Sequence, residues 1–99
     1  QSKHVKIEER NNVLQKVFKS PGGLIRASAV TRDGIIEEAH ISGDFFFFPP
    51  DGIPALEAAL CGVPAQAVTI TAAVEAFYQH NQVESPGVTP ADFAQVLAL

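Results

Sequence analysis

Ninety-nine residues with 46% hydrophobic content make one domain with one modest core, too small for a self-contained active-site cleft. The single cysteine, Cys61, excludes an internal disulfide framework, and the chain has neither an apolar run of about 18 residues nor a charged-then-apolar leader, so a cytoplasmic location without membrane contact is expected. Net charge is −4, but it divides into +5 over the first 32 residues and −9 from Asp33 onward, where no Lys or Arg occurs. The early half could meet a phosphate or an acidic partner. Its bases are scattered over strand-like segments without interleaved stacking aromatics, and nucleic acid is therefore not an expected ligand.

Residues 1–12 are polar and uneven, read as a linker or a short first helix ended by Asn11-Asn12. Residues 13–99 read as a single domain. Residues 13–18 and 24–31 are β-rich runs parted by Ser20-Pro21-Gly22-Gly23, where Pro presets φ and Gly allows its sign to reverse. Arg32-Asp33-Gly34, a short hairpin signal, leads into a third strand over residues 35–48, which predicts a three-stranded antiparallel meander.

The later half is punctuated as helices. Pro54 suits the first turn of a helix with Ile53, Leu56 and Leu60 on one side, closed by Gly62 and Pro64. A second helix is predicted from Gln66 or Thr69 to His80, with Ile70, Val74, Phe77 and Tyr78 as its apolar stripe. Ser85-Pro86-Gly87 breaks the chain, and Thr89 as N-cap, Pro90 at N1 and Asp92 in the first turn open a third, whose Phe93, Val96 and Leu97 face inward. Strands followed by helices imply an α+β fold, a three-stranded antiparallel sheet with helices packed on one face and the other face open.

Four consecutive phenylalanines, Phe45 to Phe48, cannot all enter one core, because side chains alternate along a strand. Ala39, Ile41 and Gly43 share the parity of Phe45 and Phe47, whereas Glu38, His40, Ser42 and Asp44 share that of Phe46 and Phe48, so the second pair is expected on the polar side. Two such rings approach the size of the largest apolar patch on an ordinary monomer, so they either form a surface for another domain or chain or are covered by a later helix or crossing loop of the same domain.

Chemistry-bearing constellations are sparse. His4, His40 and His80 stand far apart and Cys61 has no companion, which leaves no metal-ligand spacing. His40, Ser42 and Asp44 fall about 6.5–7 Å apart along one strand face, too far for a hydrogen-bonded relay. Pro21-Gly22-Gly23 lacks the Gly-Lys-Ser/Thr of a phosphate loop and opens a strand, so its glycines read as turn geometry. Cys61, without a basic neighbour in sequence to stabilise a thiolate, reads as a buried or half-buried small hydrophobe.

Pro21-Gly22-Gly23-Leu24-Ile25-Arg26, Asp33-Gly34-Ile35-Ile36, Ile41-Ser42-Gly43-Asp44-Phe45-Phe46, Leu56-Glu57 with Leu60 and Gly62, and Pro86-Gly87 together resemble the small accessory domain of lipoate-protein ligases, over about residue 19 to the end. The resemblance implies a noncatalytic domain that packs on a large catalytic domain or subunit. The large part binds lipoate and ATP, forms lipoyl-adenylate and passes the lipoyl group to a lysine of a carrier domain. The family's substrate-binding lysine motif and its Arg-Arg-x-x-Gly-Gly-Gly signature are both missing here, so no catalytic residue and no cofactor of its own is expected. The resemblance makes Gly43, Asp44, Phe45, Phe46 and Phe48 the candidate partner interface, and Lys19, Gly22, Gly23 and Arg26 candidate contacts to phosphate or partner. The same small α+β architecture, with its Asp-Gly-Ile-Ile-Glu-x-Ala strand, also resembles iron-sulfur scaffold and sulfur-acceptor proteins. A scaffold needs about three thiol or equivalent ligands, which one cysteine does not supply. A sulfur acceptor using Cys61 and a general interaction module remain the alternatives.

Overall fold

A computed structural model describes residues 11–99. The first ten positions of the expected linker or helix lie outside the described residues. Three strands, β1 (Asn11–Ser20), β2 (Gly23–Arg32) and β3 (Ile35–Asp44), form one antiparallel sheet in the order β1-β2-β3. Helices α1 (Gly52–Leu60), α2 (Ala67–Asn81) and α3 (Pro90–Leu97) follow. The expected α+β meander is therefore present.

Both connections are two-residue turns. Ser20 pairs with Gly23 across Pro21-Gly22, and Arg32 pairs with Ile35 across Asp33-Gly34. Asp33 and Gly34 have φ of 54° and 80°, the left-handed pair that matches the right-handed twist of the strands. Asn11 and Asn12 pair with Arg32 and Thr31, so they open β1 and do not close a preceding segment, because β2 is long enough to give both a partner.

One sheet face carries Ile25, Ala27, Ala29 and Thr31 of β2 and Ile36, Ala39 and Ile41 of β3, all buried. Ile36 and Ala39 have opposite parity, yet both point inward. The register shift between Val30 and Thr31 absorbs Glu37 as an extra residue and flips the strand's faces. Against this face α1 packs on β3, and α3 on β1 and β2, while α2 packs on α3 and α1. The alanines at the sheet centre let Phe93, Ala94 and Leu97 of α3 lie close to the strands, where a larger side chain would overpack. Leu56 and Leu60 of α1 and Ile70, Val74 and Phe77 of α2 fill the rest, as their spacing predicts.

The start of α3 is closed by Asp92, whose Oδ2 accepts the Thr89 amide at 2.8 Å. Its C-terminal end is met by Lys16. This lysine lies on the core face of β1, opposite Ala27, and its half-buried stem carries Nζ to the Ala98 carbonyl at 2.8 Å. No helix among the described residues is long and apolar enough to cross a membrane.

Candidate partner-docking site

The third strand stops at Asp44, four residues before the expected end at Phe48. Leu24–Asp44 is the last pair of the β2–β3 ladder, and because β2 has only Gly23 before the turn, it offers no partner from Phe46 onward. The aromatic run leaves the sheet and crosses the end of the helical layer. The alternation survives the loss of the ladder. Phe45 and Phe47 turn inward and meet edge to face at 6.5 Å, and both meet Phe93 in the same way, at 6.0 and 6.3 Å. Tyr78 completes the cluster against Phe47 at 6.0 Å. Phe46 and Phe48 turn outward and remain 58% and 49% exposed.

Two backbone devices hold this division. Phe48 exchanges both hydrogen bonds with Glu84, its amide to the Glu84 carbonyl at 2.8 Å and the return at 2.9 Å, which ties the run to the connection between α2 and α3. Gly52 at the start of α1 lies beneath the Phe47 ring, and a Cβ there would stand 2.7 Å from ring atom Cε1. The exposed parts of Phe46 and Phe48 together amount to about one ring, roughly 150–250 Å², and complete burial against a partner would contribute about 4–6 kcal/mol before the costs of association.

Phe46 also forms the wall of a groove of about 470 Å³ with Ser42, Gly43, Pro50 and Ile53. Two further hollows adjoin it, one lined by Leu24, Arg26, Ser42, Gly43 and Asp44, the other on the open face of the sheet beside Val17, Arg26, Ser28 and His40. Gly43 has φ of +148°, and a Cβ on it would run into the Leu24 carbonyl, so only glycine lets the strand pass this point. Asp44 is exposed beside it. Of the residues that the sequence points to, Gly43, Phe45 and Phe46 line the groove, Gly43, Asp44 and Arg26 line the hollow next to it, and Phe48 lines neither.

Lys19 and Arg26 lie on the open face as diagonal neighbours, since Lys19 pairs with Leu24 and Val17 with Arg26. Gly22 and Gly23 sit elsewhere. The Gly22 amide donates to the Gly87 carbonyl at 2.9 Å, and a Cβ on Gly23 would strike the Asp44 carbonyl. Their geometry locks the turn against the Pro86-Gly87 loop and against the end of β3.

The sequence marked Glu57 as part of a motif but not what it contacts. Its Oε2 accepts the outward amide of Ile41 at 2.6 Å, so the Leu56-Glu57 pair buries one side chain and covers the edge of β3 with the other. A contact between residues sixteen positions apart leaves no local signal. Cys61 is exposed, contrary to the expectation of a buried or half-buried thiol. The core stripe of α1 ends at Leu60, and one further residue turns Cys61 outward, with only a weak Sγ contact of 3.6 Å to the Glu57 carbonyl. His40 is exposed on the open face with Nε2 3.6 Å from Glu38, and His80 is exposed on α2 with Nδ1 2.8 Å from the Ala76 carbonyl. No group of three or more metal-ligating side chains occurs among the described residues. The Tyr78 hydroxyl shares a 2.7 Å hydrogen bond with Ser85. Burial raises the tyrosine's pKa and the Asp92 charge adds to the rise, with the Ser85 bond opposing them.

The lipoate-protein ligase A subunit 2 of Thermoplasma acidophilum is 40% identical over 85 residues, which span 86% of this chain and 87% of that protein. A solved structure from an archaeal lipoylation system, described as a bi-partite lipoate protein ligase and its E2 lipoyl domain from the same organism, superposes with a TM-score of 0.79 at 38% identity, covering 90% of this chain and 98% of that one. Residues 9–97 match the family described as the bacterial lipoate protein ligase C-terminus, and the chain belongs to that family.

Proposed function

We propose that the domain docks through the Gly43–Phe48 corner onto the large catalytic domain or subunit of a lipoate-protein ligase and there supports the ATP-dependent activation of lipoate to lipoyl-adenylate. The observation that carries this reading is the split of the aromatic run, with Phe45 and Phe47 anchored in the core while Phe46 and Phe48 face solvent beside an apolar groove. Adenylation needs phosphates held in place and shielded from water. A small body packed over the catalytic part supplies that shielding and fixes its loops without giving a reacting side chain. Lipoate and ATP then bind in the complete ligase and not on this domain alone, and lipoyl carrier domains, reached only through the catalytic part, receive the product in the cytoplasm. Arg26 and Lys19, on the same face as Asp44, would meet acidic groups or phosphate at the rim.

Reconstitution tests this directly. Added to a matching catalytic part, the domain should stimulate adenylate formation from lipoate and ATP. Phe46→Ala should weaken docking by about 2–4 kcal/mol, roughly 30- to 1,000-fold, and Asp44→Ala by less. Cys61→Ser should leave the stimulation intact, which separates docking from thiol chemistry. Wild-type domain that binds without stimulating, or fails to bind, overturns the proposal.

A further inference from the structure

The two edges of the sheet are treated differently. The outer edge of β3 is closed: Ile36 gives its amide to Val63 at 2.9 Å and accepts Gly62 at 2.7 Å, Glu57 covers Ile41, and the extra residue Glu37 interrupts the line. The outer edge of β1 has neither a backbone partner nor a covering side chain among the described residues, and its inward-pointing charge, Lys16, is turned back to the Ala98 carbonyl. It is ten residues long, without proline or register shift, and it pairs only with β2.

Which groups that edge offers follows from the ladder. Ile41 directs its amide away from β2, so Ala27–Ile41 is a pair without mutual hydrogen bonds, and Ala27 turns its own amide and carbonyl toward Lys16. Lys16 is thereby spent on β2. The alternate residues Val13, Gln15 and Val17 point their backbone groups outward, and their side chains stand on the open face, where Val13 is 71% and Val17 60% exposed.

We propose that this edge pairs with the same edge of a second copy of the chain, joining two three-stranded sheets into one antiparallel sheet about a two-fold axis at Gln15. The sequence of β1 is self-complementary in that register. Val13 falls opposite the copy's Val17, and Val17 opposite the copy's Val13, so both exposed valines gain an apolar neighbour on the open face. Leu14 falls opposite the copy's Lys16, so no lysine stands directly opposite another, and the two diagonal Lys16 side chains are each held on the Ala98 carbonyl of their own chain. A continuous sheet also leaves the Phe46 corner free, because that corner lies by β3 at the other side of the molecule. The pairing does not rest on docking to a catalytic part.

Sedimentation velocity over a wide concentration range tests the pairing, with hydrogen exchange at the Val13, Gln15 and Val17 amides as a second readout. The expected result is a reversible dimer in which exchange at these amides slows as concentration rises. Gln15→Pro removes an outward amide and no bond to β2, and should weaken the dimer by about tenfold or more. Val17→Lys, which leaves the backbone untouched, should weaken it as well and guards against misfolding of the proline variant. A wild-type chain that stays monomeric throughout, or amides protected equally at every concentration, overturns the proposal.

Discussion

Phe45 and Phe47 differ from Phe46 and Phe48 only in position, yet the first pair belongs to the fold and the second to the surface. Each inward ring touches other aromatic rings at 6.0–6.5 Å, while the outward rings are about half exposed. Identical side chains therefore serve as anchor and as offer. Their fates follow from the parity inherited from β3 and from the two hydrogen bonds that fix Phe48 to Glu84. An aromatic surface can be presented firmly only if its neighbours in the chain are held, and here every presented ring follows a held one.

The sharpest way to break this contrast is to remove one ring from each class. Phe47→Ala should cost about 3 kcal/mol of stability in urea unfolding, because it opens a hole at the centre of the aromatic cluster. Phe46→Ala should stay within about 0.5 kcal/mol of the wild type. Equal losses would mean that the two classes are not distinct. Next in size is Gly52→Ala, expected to cost about 1–2 kcal/mol as the new Cβ pushes the Phe47 ring from its place. In the Phe47→Ala background that cost should largely vanish, and a double-mutant cycle with no coupling would remove the ring as its cause. The smallest effect concerns pH. The Tyr78 pKa is raised by folding from its ordinary value of 10.0, so the native state holds its proton more tightly than the unfolded chain does. The stability from this tyrosine is complete below that value and is lost as pH rises through the higher folded pKa. An alkaline slope in unfolding free energy that Tyr78→Phe leaves unchanged would assign it to another group.

The division of the aromatic run was legible in the sequence, because Ala39, Ile41 and Gly43 set a parity that the chain keeps through Phe48. So were the two hairpins and the three helices, each marked by Gly, Pro or a capping residue. What stayed hidden depends on distant partners. Ile35-Ile36 is apolar in both parities, so nothing local shows that Glu37 is the extra residue that sends Ile36 inward. The strand ended early because its neighbour did, and the length of a strand is set by what lies beside it. At the candidate site, the outward rings were read from local pattern and Gly43 from the family resemblance. The hollow beside Arg26 and the cover that Glu57 gives to β3 required the register of the strands and the placement of α1.

The chain contains no tryptophan and a single tyrosine, and Tyr78 stands in the cluster that holds the inward rings while its hydroxyl is bound to Ser85. Its intrinsic emission is thus a built-in optical probe that needs no attached dye. A partner closing over the outward rings would be sensed one ring away, at the side of the same aromatic stack.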